Sequence, residues 1–374
     1  MGKIVGILSM QRVLNYGSFL QAYALKQLLL QNGADEVYFL DIEKGRLLPK
    51  YMFPKVSITA KIKRTIVLFL NGKLLLKLRD RRFSKILTTS IGKQIQLLDL
   101  DKPTPSHFDI VFIGSDEVFN CCQPSTWGYS PQLYGAIPIA DRVVSYAGSF
   151  GHTTYEQLLE ENLTEEIGRT MKENLSSISV RDQNSYDIVE RLTGIKPEIH
   201  LDPVLIYGYK DIVSNDESMS QKPYMIVYSY RERISDKGEI NEIVSFAKSN
   251  KLRLISIFCR YDWCDEAIVP KTPFDVLRWF KGANYIVTDT FHGTIFSIIT
   301  HRPFCVLFRE TNIQKIGALL EQLSLSERGI FCKDIKNMKV ILFNQIDYGK
   351  VEGILQQERA RSVNYIKSQI NNML

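Results

Sequence analysis

The feature that most constrains the fold of this chain is a repeated alternation of short apolar runs with helix-like runs. In the second half of the sequence the alternation is regular: strand 224–230, helix 236–250, strand 253–258, helix 273–281, strand 284–288, helix 294–301, strand 304–308 and helix 312–323. This order predicts a parallel sheet with helices on both faces. The first half opens with strand 3–9, helix 19–31 and strand 36–41, so the predicted class is α/β with two Rossmann-like units.

The length of the chain also favours two domains, because 374 residues exceed what one hydrophobic core usually holds. The polar run 209–222 separates the two series of strands. We predict a first domain at 1–208 with a basic helical insertion at 44–85, and a second domain at 209–349 that faces the first across a cleft. The helix-like run within 350–374 is expected to cross back to the first domain.

Polar side chains follow nearly every predicted strand, at the point where the strand ends. The clusters are Asn15/Gly17, Ser115/Asp116, Ser149/Gly151, Arg181/Asp182, Arg231/Arg233, Asp289/His292 and Arg309. The carboxyl ends of strands in a doubly wound sheet converge on one crevice, so we expect these side chains to meet there. Arginines in a crevice suit a ligand with a carboxylate or phosphate group, whereas a surface ion pair is the alternative for each of them.

Residues 284–301 are the most informative stretch. They indicate a buried strand that ends in Thr288 and Asp289, a turn with His292 and Gly293, and a helix that begins at Thr294. A helix N-terminus at the carboxyl edge of a sheet binds anions, and a histidine there transfers protons near neutral pH. The alternative is that His292 only packs in or caps the turn.

Several functional classes lack their sequence signals. A hydrophobic fraction of 45% with 24% charged residues is typical of a soluble globular protein. The sequence has no P-loop, and the first strand-to-helix loop offers one glycine, Gly17, which argues against a dinucleotide dehydrogenase. The cysteine and histidine spacings give no reason to expect a tightly bound metal. The first residues lack a signal-peptide cleavage site, so a cytoplasmic location is expected.

The positive charge is concentrated in residues 44–85, which hold thirteen lysines or arginines and one acid, Asp80. An amphipathic basic helix is indicated there by apolar residues at helical spacing and by the cations between them: Ile58, Ile62, Ile66, Phe69, Lys61, Lys63 and Arg64. Such a helix either rests on anionic lipid at the inner face of the membrane or presents a solvated cationic surface. Nucleic-acid binding is not expected, because no recognition motif accompanies the charge.

Six motifs, in order along residues 3–325, resemble those of the polysaccharide pyruvyltransferase family. They are Asn15–Gly17 with Leu20–Leu25, Phe108–Asp109 with Gly114–Asn120, Ser145–Gly151, Ser179–Asp182, Leu201–Pro203 and Thr288–Thr294. The resemblance implies a glycosyltransferase-B-like fold. It also implies transfer of pyruvate from phosphoenolpyruvate, a co-substrate rather than a cofactor, to sugar hydroxyls of a surface-polysaccharide precursor, which forms a ketal. The implied acceptor is a glycan or a lipid-linked oligosaccharide.

The same resemblance implies roles for individual residues. His292 is implied as the general acid of the donor site, and Arg181 as the arginine that holds the anionic donor. The other implied donor-side residues are Asp289, Thr290, Gly293, Thr294 and Arg309. Asp116 is implied as the acid of the acceptor side, although on its position alone it suits an N-cap, and Asp289 is the alternative base. The implied acceptor pocket consists of Asn15, Gly17, Gln21 and Ser115.

One position departs from the family pattern. Well-known members carry an arginine two residues before the histidine, where this chain has Thr290. Arg309, Arg231 or Arg233 is therefore expected to supply the missing cation, unless the donor is bound differently. Two competing functions stay open at this point: a nucleotide-sugar glycosyltransferase on the same scaffold, and a non-catalytic protein that binds glycans or anions.

Overall fold

The computed structural model describes residues 2–52, 57, 74–214 and 219–371. The predicted amphipathic segment 58–69 lies outside these residues. Within the described residues a first, seven-stranded parallel sheet has the order β2-β1-β3-β4-β6-β7, with β5 paired to β4. Its strands are β1 (Ile4–Leu8), β2 (Glu36–Leu40), β3 (Phe108–Asp116), β4 (Ala140–Gly148), β5 (Leu175–Ser177), β6 (Ser179–Val180) and β7 (Glu198–Ile199).

A second parallel sheet, with six strands in the described part of the chain, has the order β10-β9-β8-β11-β12-β13. Its strands are β8 (Tyr224–Tyr228), β9 (Arg253–Ile257), β10 (Glu266–Ile268), β11 (Tyr285–Thr288), β12 (Phe304–Leu307) and β13 (Gly329–Ile330). All five residues of β8 are buried, as expected for a strand covered on both faces. The predicted α/β class with two parallel sheets is confirmed.

Helices connect and cover the strands. Their bounds are Tyr16–Gln31, Leu74–Gln94, Tyr155–Glu160, Thr164–Asn174, Gln183–Thr193, Pro203–Tyr207, Lys210–Val213, Lys237–Ser249, Pro273–Gly282, Phe291–Ile299, Ile313–Gln322, Met338–Phe343 and Tyr348–Asn371. No helix within the described ranges has the length and apolar character needed to span a bilayer.

Two helices begin three residues earlier than predicted, and both lie at the cleft. Asn15 caps Tyr16–Gln31 by accepting from the N–H of Gly17, and Thr290 caps Phe291–Ile299 by accepting from the N–H of Gly293. Asn and Thr are good N-cap residues because a short side-chain oxygen reaches a first-turn N–H. His292 therefore lies in the first turn of a helix rather than in the predicted turn before it.

The two sheets share apolar contacts and are joined by the last helix. Phe274 packs edge-on against Phe19, with ring centroids 5.9 Å apart, and so links Pro273–Gly282 to Tyr16–Gln31. In the helix Tyr348–Asn371, the Tyr348 hydroxyl donates to the carbonyl of Arg302 (2.7 Å), and the Tyr365 hydroxyl donates to that of Ser145 (2.9 Å). This helix therefore runs from the second sheet to the first. The domain bounds 1–208, 209–349 and 350–374 stay predictions.

Candidate active site

A cleft of about 350 Å³ lies between the carboxyl ends of the two sheets. Polar residues from both halves of the chain line it: Asn15, Ser18, Asp116, Glu117, Arg181, Tyr230, Arg233, Asp289, Thr290, His292 and Lys315. The volume is in the range of a small-molecule site. Seven of the predicted site and crevice residues are thus brought together: Asn15, Asp116, Arg181, Arg233, Asp289, Thr290 and His292.

Residues of the first half of the chain form one wall of the cleft, the first wall, and residues of the second half form the second wall. Arg181 is the central cation of the first wall. Its side chain is only 2% exposed, and its Nη1 donates to Oδ2 of Asp202 at 3.1 Å and lies 3.7 Å from Oδ1 of Asp116. Burial opposes the charge, but the carboxylates of Asp116 and Asp202 raise the pKa of Arg181. The guanidinium also lies 4.2 Å from the centre of the Phe291 ring, which belongs to the second half of the chain. Arg181 therefore links the two walls.

Asp202 contacts both Arg181 of the first wall and His292 of the second. Its Oδ2 lies 3.7 Å from Nε2 of His292, and its Oδ1 accepts from the N–H of Val204 at the start of Pro203–Tyr207. Burial raises the pKa of Asp202, but His292 and Arg181 outweigh it and lower that pKa to about 2. Asp202 is therefore a fixed carboxylate that Arg181 and His292 share.

His292 is positioned by the glycine opposite it. A Cβ at Gly17 would stand 2.3 Å from Nδ1 of His292, so only glycine at this position leaves room for the imidazole. The Nε2 atom of His292 is buried and has no hydrogen-bond partner in the described chain. A ligand in the cleft could satisfy this atom, because buried polar atoms are rarely left unpaired.

Asp116 lies at the end of β3 and does not cap a helix, so the N-cap alternative was wrong. Its Oδ2 accepts from the hydroxyl of Ser18 at 3.0 Å, and its side chain is 16% exposed on the cleft. The carboxylate is thus placed between the first helix and Arg181. It can accept a proton from a group bound in the cleft.

Asp289 contrasts with Asp116, because the residue is fully buried and neither carboxyl oxygen has a hydrogen-bond partner in the described chain. Burial raises the pKa of Asp289, although Arg233 and Arg309 act in the opposite direction. Nε of Arg309 lies 3.7 Å from Oδ2 of Asp289, but burial without an accepted hydrogen bond still favours the neutral form of this carboxyl group. Asp289 can therefore carry a proton.

The three arginines proposed to replace the missing cation occupy different surroundings. Arg309 is held by both carboxylate oxygens of Glu239, at 2.6 and 2.8 Å, and does not line the cleft. Arg231 is exposed and lies 3.5 Å from Asp80. Arg233 lines the cleft and donates to the Thr311 hydroxyl, and no carboxylate of the described residues lies within 4.0 Å of it. Of the three, Arg233 is placed to meet an anion.

Five other predicted residues lie behind the lining rather than on it, which corrects their predicted placement: Gly17, Gln21, Ser115, Gly293 and Thr294. Gln21 is fully buried, and its Nε2 donates to the hydroxyl of Ser9. Ser115 donates to Asp202 at 3.3 Å, and Thr294 donates to the carbonyl of Thr290. These residues hold the lining side chains in place.

The sequence patterns missed an ion pair across the cleft. Lys315 of the helix Ile313–Gln322 contacts Glu117, which follows β3 in the first half of the chain. Burial raises the pKa of Glu117, but Lys315 and Arg181 lower it to about 2. Glu117 was part of a quoted motif, whereas Lys315 follows the predicted strand 304–308 by several residues, and no local signal pairs it with Glu117.

Comparisons with known proteins agree with this architecture. A family model described as polysaccharide pyruvyl transferase matches residues 15–307. Staphylococcus aureus MnaA bound to UDP has a TM-score of 0.51 at 13% identity, over 99% of this chain and 97% of that one. A Listeria monocytogenes protein described as a UDP-N-acetylglucosamine 2-epimerase has a TM-score of 0.53 at 11% identity, over 99% and 96%. These likenesses confirm the predicted glycosyltransferase-B-like fold. No curated protein matches the chain.

Proposed function

The chain belongs to the polysaccharide pyruvyl transferase family, and we propose that it moves pyruvate from phosphoenolpyruvate onto two hydroxyls of a sugar, forming a cyclic ketal. The acceptor in this proposal is a glycan of a surface-polysaccharide precursor. The enzyme is then a transferase that uses phosphoenolpyruvate as a co-substrate.

The observation that carries the proposal is the shared carboxylate of Asp202. It places the guanidinium of Arg181 and the imidazole of His292, which are far apart in sequence, at 3.1 and 3.7 Å from one oxygen atom. A cation and a proton donor side by side are what an anionic enol ester needs. The N-terminus of Phe291–Ile299 adds partial positive charge beside them.

The two proton transfers that begin the proposed reaction are assigned to His292 and Asp116. His292 gives a proton to the methylene carbon of phosphoenolpyruvate, which makes the neighbouring carbon an electrophile. A sugar hydroxyl attacks that carbon and loses its proton to Asp116. The bond between this carbon and the phosphate oxygen then breaks, and phosphate leaves. The second sugar hydroxyl attacks the same carbon and closes the ring. The two hydroxyls lose two protons overall. One is accounted for by the new hydrogen of the methyl group and the other by the protonated phosphate.

The two acids that were candidate bases receive different roles. Asp116 lies at the cleft beside Arg181 and the hydroxyl of Ser18, where it can accept a proton from the sugar hydroxyl. Asp289 is buried and accepts no hydrogen bond in the described chain, which suits the neutral form, in which its O–H can donate to an oxygen atom of phosphoenolpyruvate.

The anionic groups of the donor are held by cations from both walls. Arg181 serves from the first wall, and Arg233 takes the place of the arginine that well-known members of the family carry at the position of Thr290. Lys315 is held by Glu117 and lies at the edge of the same cleft. Its charge adds to the attraction for a small, multiply charged anion.

The test is phosphate release from phosphoenolpyruvate with a panel of glycans, with mass spectrometry of the glycan product. We expect a product heavier by one pyruvate ketal. The His292→Ala variant should lose this activity by at least about 100-fold, because a positioned acid contributes that much. His107→Ala is the matched control, since His107 is an exposed histidine paired with Asp141.

The outcome that contradicts the proposal is no phosphate release with any glycan, together with thermal stabilisation by UDP- or GDP-sugars but not by phosphoenolpyruvate. That result would favour the glycosyltransferase alternative. Binding of phosphoenolpyruvate that is lost in Arg181→Ala, without turnover in the intact protein, would instead indicate a binding protein.

A further inference from the structure

The helix Leu74–Gln94 exposes three large aliphatic side chains on one face. Leu75 is 72% exposed, Leu78 48% and Ile86 50%, whereas Leu87 and Ile91 on the opposite face are buried in the core. At about 100° per residue, the three exposed side chains fall within roughly 80° of the helix circumference. Water therefore covers an aliphatic stripe on a helix whose other side is already packed.

Cations flank this stripe, and the face has no acid. Arg79, Arg82 and Lys85 are exposed and project from the same side of the helix. The one acid in the sequence of this helix is Asp80. Asp80 lies on the inner side, where it accepts from Nη1 of Arg260 at 2.9 Å. The exposed face thus combines aliphatic and positive groups.

We propose that this face docks on an anionic lipid surface. Aliphatic side chains that insert among lipid chains, flanked by cations at the height of the headgroups, are the arrangement of an interfacial helix. A nucleic acid would attract the cations but would leave the three aliphatic side chains without partners. The face lies partly within the basic run 44–85 for which the sequence suggested contact with anionic lipid, but on the helix that follows the segment 58–69. It goes beyond the proposed reaction, because lipid binding does not depend on the chemistry in the cleft.

The helix that carries the lipid face extends to the mouth of the cleft. Gly92 lies on the same helix, and a Cβ there would be 4.0 Å from Cδ2 of Leu14, whose side chain is 43% exposed. The residues on either side of Leu14, Val13 and Asn15, line the cleft. Docking would therefore hold the cleft mouth close to the lipid, where a lipid-anchored glycan is within reach.

The experiment is cosedimentation of the whole protein with vesicles of phosphatidylcholine alone or with added phosphatidylglycerol. We expect binding that rises with the phosphatidylglycerol content and falls with added salt. The triple variant Arg79→Gln/Arg82→Gln/Lys85→Gln should bind about 100-fold more weakly, and Leu75→Gln/Leu78→Gln/Ile86→Gln about 10-fold or more. Exposed positions keep both variants folded, which circular dichroism checks.

The matched control removes the same charge elsewhere: Lys237→Gln/Lys248→Gln/Lys251→Gln, at exposed positions of the second half. It should bind like the wild type. The proposal is overturned if phosphatidylglycerol does not increase binding, if the control loses as much as the Arg79 set, or if the aliphatic variant binds unchanged. A dimer that the aliphatic variant breaks, without vesicle binding, would assign the face to a second copy of the chain.

Discussion

The two walls of the cleft are built on the same kind of sheet edge but treat their charges differently. On the first wall Arg181 contacts the carboxylates of Asp116 and Asp202, and Ser115 donates to Asp202 as well. On the second wall neither carboxyl oxygen of Asp289 accepts a hydrogen bond in the described chain, although Nε of Arg309 lies 3.7 Å away, and Arg233 meets a hydroxyl rather than an acid.

This difference indicates which wall holds the polar groups that would form hydrogen bonds with a ligand. A network whose charges are already paired is rigid and keeps its geometry when the cleft is empty. Buried polar atoms without partners weaken the empty fold and gain hydrogen bonds when a ligand arrives. The first wall therefore acts as a fixed frame, and the second wall supplies the groups that a ligand completes.

The largest expected effect is a loss of stability when the first-wall cation is removed. Arg181→Met leaves Asp202 buried without its cation, so we expect the free energy of unfolding to fall by about 3–5 kcal/mol in urea titrations. Arg233→Met, the matched change on the second wall, should alter that free energy by less than about 0.5 kcal/mol and weaken phosphoenolpyruvate binding about 10-fold or more. Equal destabilisation by the two variants would erase the distinction between the walls.

The next effect tests whether the walls are fitted to each other. Gly17→Ala places a methyl group in the space of the His292 imidazole, so we expect about 100-fold lower kcat, because a shift of about 1 Å in a catalytic group has that effect. Gly317→Ala is the control, since no atom lies within 4 Å of its added Cβ. That variant should keep full activity and gain up to about 1 kcal/mol of stability from helix propensity. Unchanged kinetics in Gly17→Ala would show that His292 is not held by this contact.

The contributions of Asp202 and Asp289 to the free energy of unfolding should also change with pH in opposite directions. The folded pKa of Asp202 is lowered to about 2, so its stabilising effect is present above the unfolded pKa and is lost as pH falls from about 4 toward 2. The folded pKa of Asp289 is raised, so the stability linked to its protonation is lost as pH rises above the unfolded value.

The pair Asp202→Asn and Asp289→Asn measures these slopes. The stability deficit of Asp202→Asn should shrink by about 2 kcal/mol on acidification, because one pKa unit corresponds to about 1.4 kcal/mol. Asp289→Asn should instead become more stable than the wild type by about 1 kcal/mol as pH rises. Denaturant titrations from about pH 2 to about 8 give both curves, and slopes of the same sign would contradict the comparison.

The smallest effect concerns position 290. Thr290→Arg removes the N-cap of Phe291–Ile299, so we expect a loss of about 1 kcal/mol, whereas Thr290→Ser keeps the cap and the stability. In an Arg233→Met background, Thr290→Arg should restore phosphoenolpyruvate affinity, measured by calorimetry. Failure to restore it would mean that the two positions do not serve the same anion.

Much of the fold was predictable because the relevant signals are local. Strands such as β8 and β12 are apolar throughout, and burial on both faces needs nothing else. The starts of the two cleft helices were placed too late, because Gly17 and Gly293 are poor helix formers and suggested loops. The caps Asn15 and Thr290, and the close packing that requires those glycines, overrode the local propensity.

The site was predictable only as far as strand ends converge. That rule brought Asp116, Arg181 and His292 to one cleft. It did not reveal which arginine forms an ion pair with a neighbouring acid, because Glu239, the partner of Arg309, lies far away in sequence. The pairing of Lys315 with Glu117 was hidden for the same reason. Such pairings depend on the packing of distant segments, for which single residues carry no signal.

Within the described residues, the chain passes between the two sheets in the segment after β7 and again in the last helix, Tyr348–Asn371, and these two passages lie side by side. Nε of Arg359 in the last helix donates to the carbonyl of Leu205 in the first passage, at 3.1 Å. Two adjacent covalent links act as one pivot, since the second link resists twisting and sliding about the first. They help to keep the Asp202 carboxylate of the first half 3.7 Å from the His292 imidazole of the second.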